Sequence, residues 1–103
     1  MSIYFQTEER VVWNPSNGVA RAFLAMTAAA EEFVGVASGF SAVVSDEVTV
    51  DVPQLRVFRA AMGEVTHRAT AHMFQGYLEC LAVMQARASG EASDLEIAKA
   101  MPV

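Results

Sequence analysis

A carboxylate and an imidazole three positions apart form the sharpest chemical pattern in the sequence. Glu64 and His67 match the Glu-x-x-His spacing that supplies two ligands of a di-iron carboxylate site in helical bundles. Both side chains point away from the apolar face of their helical segment, whereas bundle ligands project inward. We therefore predict a solvated helix surface at this pair, with no bound metal and no cofactor.

A second pair, His72 and Glu79, lies seven residues apart and so falls on one face of a helix. A histidine beside a carboxylate can act as a general base whose ring the carboxylate orients. The same face lies opposite the apolar stripe, which is the ordinary position of surface polar residues. If the protein is an enzyme or a small-molecule binder, this pair in a cleft between subunits is the predicted site.

The single cysteine, Cys80, lies in an apolar helical context with no basic residue within four positions. A reactive thiol needs a basic neighbour to lower its pKa, so we predict a small buried side chain. The sequence contains no phosphate-binding glycine loop, no Gly-x-Ser-x-Gly motif and no calcium loop. These observations favour a protein that is not an enzyme.

The composition is that of a folded acidic domain. The 103 residues are 53% apolar and 18% charged, which excludes disorder and fits one domain over 1–103. Seven basic residues against twelve acidic ones give a net charge of −5, and no basic stretch exists. We therefore expect no nucleic-acid partner and no membrane partner. The acidic balance leaves open a role as an immunity-type neutraliser of a basic partner.

The start of the chain and its cysteine content indicate a compartment. The first residues have no basic start followed by an apolar run, and no segment reaches the roughly 18 apolar residues of a spanning helix. One cysteine excludes an internal disulfide. These features predict a cytoplasmic protein, and the Ala, Val and Arg bias is typical of high-GC bacterial proteomes.

Alternating apolar residues predict a small β-element over 2–13, with Thr7-Glu8-Glu9 as a hairpin loop. Trp13, at its end, is expected to be buried. Asn14 or Ser16 can then cap the following helix. A second alternation predicts either a short strand over 47–52 or an extended entry into the next helix.

Apolar spacings predict three main helices. In the first, over 17–36, one apolar face is formed by Val19, Phe23, Met26, Ala30, Phe33 and Ala37. The next two, over 53–66 and 70–88, carry stripes that differ in direction, so a break falls between 66 and 71; one long bent helix is the alternative. A capping box predicts a short terminal helix over 94–101. The predicted fold class is mainly α (α+β), a three-helix core with a small N-terminal β-hairpin and, as an open alternative, one further short strand.

The helix over 70–88 carries apolar side chains over an arc too wide for a single intramolecular contact. An uncovered patch of this kind usually marks an interface, most often across a two-fold axis. The predicted homodimer interface consists of Phe74, Tyr77, Leu78 and Leu81. Alternatively, the loop 38–46, which carries Phe40, Val43 and Val44, packs onto the core and covers this arc. We predict a non-enzymatic, self-associating interaction or binding protein.

Three short segments resemble a group of small actinobacterial proteins of unknown function. They are Tyr4-Phe5-Gln6, Trp13-Asn14-Pro15-Ser16-Asn17, and Ser45-Asp46-Glu47 with Asp51 ahead of a helix. The resemblance implies a similar length and helical pattern, but it supplies neither an activity nor functional residues.

Overall fold

The structure, a computed structural model, describes the backbone of residues 1–65 and 68–90 and the side chains of 1–64 and 71–90. The described strands are β1 (Tyr4–Gln6), β2 (Val11–Trp13) and β3 (Glu47–Thr49). The described helices are α1 (Asn17–Val34), α2 (Val52–Val65), α3 (Arg68–Met73) and α4 (Gln75–Ser89). A mainly helical α+β class is therefore confirmed. The helix predicted over 94–101 lies outside the described residues.

The small sheet has the order β2-β1-β3, with β1 in the centre. β2 pairs antiparallel with β1 and forms the predicted hairpin, in which Thr7 Oγ1 accepts hydrogen bonds from the backbone N–H groups of Glu9 and Arg10, both at 3.2 Å. β3 pairs parallel with the other edge of β1. The second alternation is thus a strand, although it is shorter than the predicted 47–52.

Polar side chains begin the first two helices, as capping chemistry requires. Ser16 Oγ accepts a hydrogen bond from the Val19 N–H at 3.5 Å at the start of α1. Asp51 Oδ1 accepts one from the Gln54 N–H at 3.1 Å at the start of α2. α1 ends at Gly35, whose φ of 69° lies in the left-handed region that favours glycine.

The direction of the apolar face predicted for α1 is wrong. The buried residues are Ala20, Phe23, Thr27 and Ala30. Val19, Met26 and Phe33, which the spacing placed on the core face, are 52%, 39% and 49% exposed. At 100° per residue the buried face is rotated by roughly 60° from the predicted one. Because α1 is apolar around much of its circumference, the spacing alone did not fix which side packs.

The loop 38–46 packs onto the core through one residue only. The Phe40 ring lies edge-on to Phe5 and Phe23, with centroids 5.7 and 5.5 Å apart. Val43 and Val44 are exposed, contrary to the prediction. Val44 and Glu47 exchange two backbone hydrogen bonds of 3.0 Å around Ser45-Asp46, whose φ values are both positive. This tight turn holds the backbone so that the Val44 side chain faces solvent.

The helical region that follows α2 contains an interruption that the sequence did not predict. α2 ends at Val65 and α3 begins at Arg68, and residues 66–67, where part of the predicted break lies, are outside the described residues. The interruption falls at Phe74, with φ −96° and ψ 7°. The Phe74 ring stacks on Phe33 at 6.5 Å and lies 6.0 Å from the Tyr77 ring. The turn therefore occurs where an aromatic side chain packs between α1 and α4.

The core has an aromatic half and a largely aliphatic half. Around fully buried Phe5, neighbouring rings lie 5.1–5.7 Å apart; they belong to Trp13, Phe23, Phe40 and Tyr77. Between α2 and α4 the buried residues are Leu55, Phe58, Met62, Leu81 and Met84. Trp13 is only 6% exposed, which confirms its predicted burial.

Replacement of Trp13 by alanine should lower the free energy of unfolding by about 3–5 kcal/mol, because it removes a ring packed against two others in the core. Urea denaturation followed by circular dichroism measures the change. Val11→Ala, at an exposed position of the same strand, is the control and should cost less than about 1 kcal/mol. A Trp13→Ala loss as small as that of the control would contradict a structural role.

Candidate functional site

The predicted metal pair is described only in part. Glu64 lies exposed near the end of α2, and His67 lies outside the described residues. In the part of the chain that the structure describes, no three His, Cys, Asp or Glu side chains come together as metal ligands. The described residues thus offer no metal centre in which Glu64 takes part.

The structure places the second pair at one depression. His72 and Glu79 are both exposed and line an open hollow of about 490 Å³ together with Ala71, Gln75 and Leu78. No hydrogen bond between the imidazole and the carboxylate is present. The two side chains are therefore neighbours on a surface, without the fixed contact that orients a general base.

The four residues predicted as a dimer interface divide into two groups. Tyr77 is 3% exposed and Leu81 is fully buried, so the chain's own core covers both. Phe74 and Leu78 are half-buried and pack against that core. Any contact with a second chain must therefore rely chiefly on other residues.

An apolar surface that the sequence did not predict runs along α1. We call it the α1 stripe: Val19, Ala22, Met26, Ala29 and Phe33, all of them exposed. Their spacing of 3, 4, 3, 4 places them on one side of the helix, beside the buried face. The spacing of the α1 stripe is visible in the sequence, but it overlaps with the spacing of the buried residues of the same helix. Only the burial of each side chain shows which residues belong to the core and which to the surface.

A groove of about 450 Å³ lies beside the α1 stripe. Its lining is largely apolar and is formed by Trp13, Val19, Ala22, Phe23, Met26, Met73, Gly76, Tyr77 and Cys80. Met73, on the side opposite α1, is 76% exposed. Val19, Ala22 and Met26 of the α1 stripe and Met73 therefore line opposite sides of one apolar groove.

Cys80 lines this groove and is half-buried rather than fully buried as predicted. Burial, and to a lesser extent the charge of Glu79, raises the pKa of its thiol. A raised pKa disfavours the thiolate, which is the nucleophilic form. The position of this sulfur in an apolar groove therefore fits a packing role.

A buried hydrogen bond fixes the floor of the groove. Thr27 Oγ1 donates to the Phe23 carbonyl oxygen at 3.0 Å and lies 2.8 Å from the Tyr77 hydroxyl oxygen. Because threonine has a single hydroxyl hydrogen, Tyr77 must donate to Thr27. Burial raises the pKa of Tyr77 well above its ordinary value, so the donor stays protonated.

Arginine side chains around the last turns of α4 donate to nearby groups of the chain. Arg87 donates to the Val12 carbonyl oxygen at 2.8 Å, and Arg10 donates to the Arg87 carbonyl oxygen at 3.3 Å. Arg56 and Arg59 donate to side chains of the same helix end, those of Ser89 and Gln85. These cations stabilise the carbonyl end of a helix and join it to the sheet.

Loss of the buried hydroxyl pair should affect stability asymmetrically. Thr27→Val leaves the Tyr77 hydroxyl buried without an acceptor and should cost about 1–3 kcal/mol, whereas Tyr77→Phe should cost about 0.5–1.5 kcal/mol. The double variant should lose less than the sum of the two, since neither group is then left alone. Urea denaturation of the three variants measures these free energies, and strict additivity would contradict the coupling.

Comparison with known proteins identifies a family for this chain but does not identify an activity. No curated protein and no solved structure matches this chain. Among the described residues no helix is long and apolar enough to cross a membrane. A family of unknown function, DUF6086, matches residues 1–101, and the chain therefore belongs to that family.

Proposed function

We propose that this chain is a non-enzymatic interaction protein that acts by associating with a second copy of itself through the α1 stripe. The observation that carries the proposal is the exposure of Val19, Met26 and Phe33 on one side of a well-packed helix. Met73 and the groove extend the same apolar surface toward α4. Continuous apolar patches are uncommon on monomers and usually mark interaction sites.

The form of the stripe favours another helix as its partner. A 3–4 spacing is the pattern by which two helices pack side by side. Large and small side chains alternate along the α1 stripe, so that two of its three large side chains can lie against the two alanines of a facing helix. α1 of a second copy supplies this complementary pattern. A contact between identical surfaces also closes into a dimer and leaves no apolar surface to propagate.

The composition of the chain also suggests the compartment in which this function takes place. A single cysteine is compatible with a reducing compartment, and the composition is typical of high-GC bacteria, so we place this function in the cytoplasm of an actinobacterial cell. No catalytic residue and no cofactor take part. The proposed interface lies on α1 and not at Tyr77 and Leu81, because the core already buries both of these side chains.

A lysine in the middle of the stripe should abolish association. We expect the protein to be a dimer at micromolar concentration and Met26→Lys to be a folded monomer, because a buried unpaired charge at the contact is costly. Light scattering on a sizing column gives the mass, and circular dichroism confirms the fold.

The matched control is Val57→Lys, which introduces the same charge at an exposed apolar position of α2 outside the stripe. This variant should remain a dimer. A monomeric wild-type protein at about 100 µM, a concentration at which even weak dimers form, would overturn the proposed function. If Met26→Lys and Val57→Lys weaken dimerisation equally, association does not use α1.

A second candidate function rests on the depression that His72 and Glu79 line. An imidazole and a carboxylate beside Leu78 could hold a small molecule with a polar group and an apolar part. If so, native mass spectrometry of the purified protein should show a bound compound that the His72→Ala/Glu79→Ala variant lacks. Identical spectra for the two proteins would contradict this alternative.

A further inference from the structure

We infer that oxidation of two methionines, Met26 and Met73, breaks the contact between two copies of this chain, so that self-association responds to peroxides. The inference rests on the proposed function, because it assigns a regulatory chemistry to the surface through which the copies associate. Three observations support it: both thioethers are accessible in the single chain, both line one apolar groove, and the other methionine side chains within the described helices are buried.

The exposure of the methionines separates those that a peroxide reaches from those that it does not. Met26 is 39% exposed and Met73 is 76% exposed, and they lie on opposite sides of the groove. Met62 and Met84, in contrast, are fully buried in the core. The accessible thioethers of the described helices are therefore confined to the groove.

The reaction transfers one oxygen atom and two electrons. A hydroperoxide gives its hydroxyl oxygen to the thioether sulfur: the S–O bond forms, the O–O bond breaks, and the hydroxyl proton moves to the oxygen that leaves as an alcohol or as water. The sulfur is oxidised and the peroxide is reduced. The sulfoxide is polar, and a methionine sulfoxide reductase returns it to the thioether with electrons from a dithiol, releasing water.

A sulfoxide in the groove opposes the contact. The side chains that α1 presents there beside Met26 are those of Val19, Ala22 and Phe23, and none of them offers a hydrogen-bond donor. When a second copy covers this surface, the sulfoxide oxygen loses its water without gaining a partner from these side chains. We therefore expect the dissociation constant to rise at least about tenfold on oxidation.

The sulfur of Met26 reacts in the single chain rather than in the pair. Met26 lies in the middle of the α1 stripe, so a second copy covers it in the proposed contact. Oxidation then proceeds through the single chains in equilibrium with the pair, and each oxidised chain is withdrawn from association.

This protection gives a kinetic test. The rate of Met26 oxidation by hydrogen peroxide should fall as the protein concentration rises through the dissociation constant, because a growing share of the chains is paired. Met1, which is 93% exposed and outside the groove, supplies the reference rate and should not slow. Peptide mass spectrometry at successive times measures both rates. A Met26 rate that is independent of concentration would overturn the inference.

Peroxide treatment of the dimer tests the effect on association. Hydrogen peroxide should add one oxygen, about 16 Da, to each of Met1, Met26 and Met73, at a dose that leaves Met62 and Met84 unoxidised. Light scattering on a sizing column should then show a monomer, and circular dichroism should show an unchanged fold. A protein that carries oxygen at Met26 and Met73 and remains a dimer would overturn the inference.

The matched control is Met26→Leu/Met73→Leu, since leucine has a similar volume and no sulfur. This variant retains Met1, Met101 and Cys80, so oxidation at those positions is common to both proteins. Sedimentation equilibrium compares each protein with its own untreated form. Peroxide should raise the dissociation constant of the wild type at least about tenfold and leave that of the variant unchanged. A rise of the same size in both would contradict the assignment to these two sulfurs.

Enzymatic repair is an independent measurement that uses the wild-type chain alone. Methionine sulfoxide reductases for both sulfoxide epimers, supplied with a dithiol, should return Met26 and Met73 to thioethers and restore the dimer. The dithiol alone, which reduces disulfides but not sulfoxides, should leave the protein monomeric. Recovery with the dithiol alone, or complete repair without recovery of the dimer, would overturn the inference.

These outcomes are distinguishable from failure of the proposed function. If Met26→Lys abolishes a wild-type dimer but peroxide treatment leaves that dimer intact, self-association through α1 stands and only its redox control is wrong. If the untreated wild-type protein is monomeric at about 100 µM, the function and its control both fail.

Discussion

The buried hydrogen bond between Tyr77 and Thr27 sets the orientation on which the rest of the surface depends. A hydroxyl group inside a protein core costs free energy unless it is paired, and these two hydroxyls pair with each other across α1 and α4. The bond requires Thr27 to face the core. Once it does, Val19, Met26 and Phe33 must lie beside the core rather than in it. One polar contact therefore determines which apolar residues remain available to a partner.

Packing and hydrogen bonding agree on this orientation. Ala20 and Ala30 lie on the same side of α1 as Thr27, and their small side chains let the helix approach the sheet and α2 closely. Phe23 then reaches the aromatic cluster around Phe5. The alternative rotation would bury Met26 and Phe33 but expose Thr27 and separate it from Tyr77. The cost of an unpaired Tyr77 hydroxyl opposes that arrangement.

The titratable residues that could take part in chemistry are not held in contact with one another. His72 and Glu79 share a surface depression without a hydrogen bond between them, and burial keeps the Cys80 thiol protonated. Catalysis by such groups requires fixed geometry and matched pKa values. By contrast, the exposed side chains of Val19, Met26 and Phe33 lie on one side of α1 and form an apolar surface. Such a surface suits the recognition of a partner, which is the function that we propose for this chain.

The sequence by itself determined the fold class, the hairpin with its Thr7 loop and the burial of Trp13, and it narrowed the cap of α1 to Asn14 or Ser16. All of these depend on local patterns, namely alternation, caps and turn residues, which act over a few positions. Only the tertiary structure decided the rotation of α1, the interruption at Phe74 and the exposure of Val44. The physical reason is that α1 is apolar over a wide arc, so several rotations satisfy its periodicity equally well. A hydrogen-bond partner fifty residues away in sequence, Tyr77, selects among them.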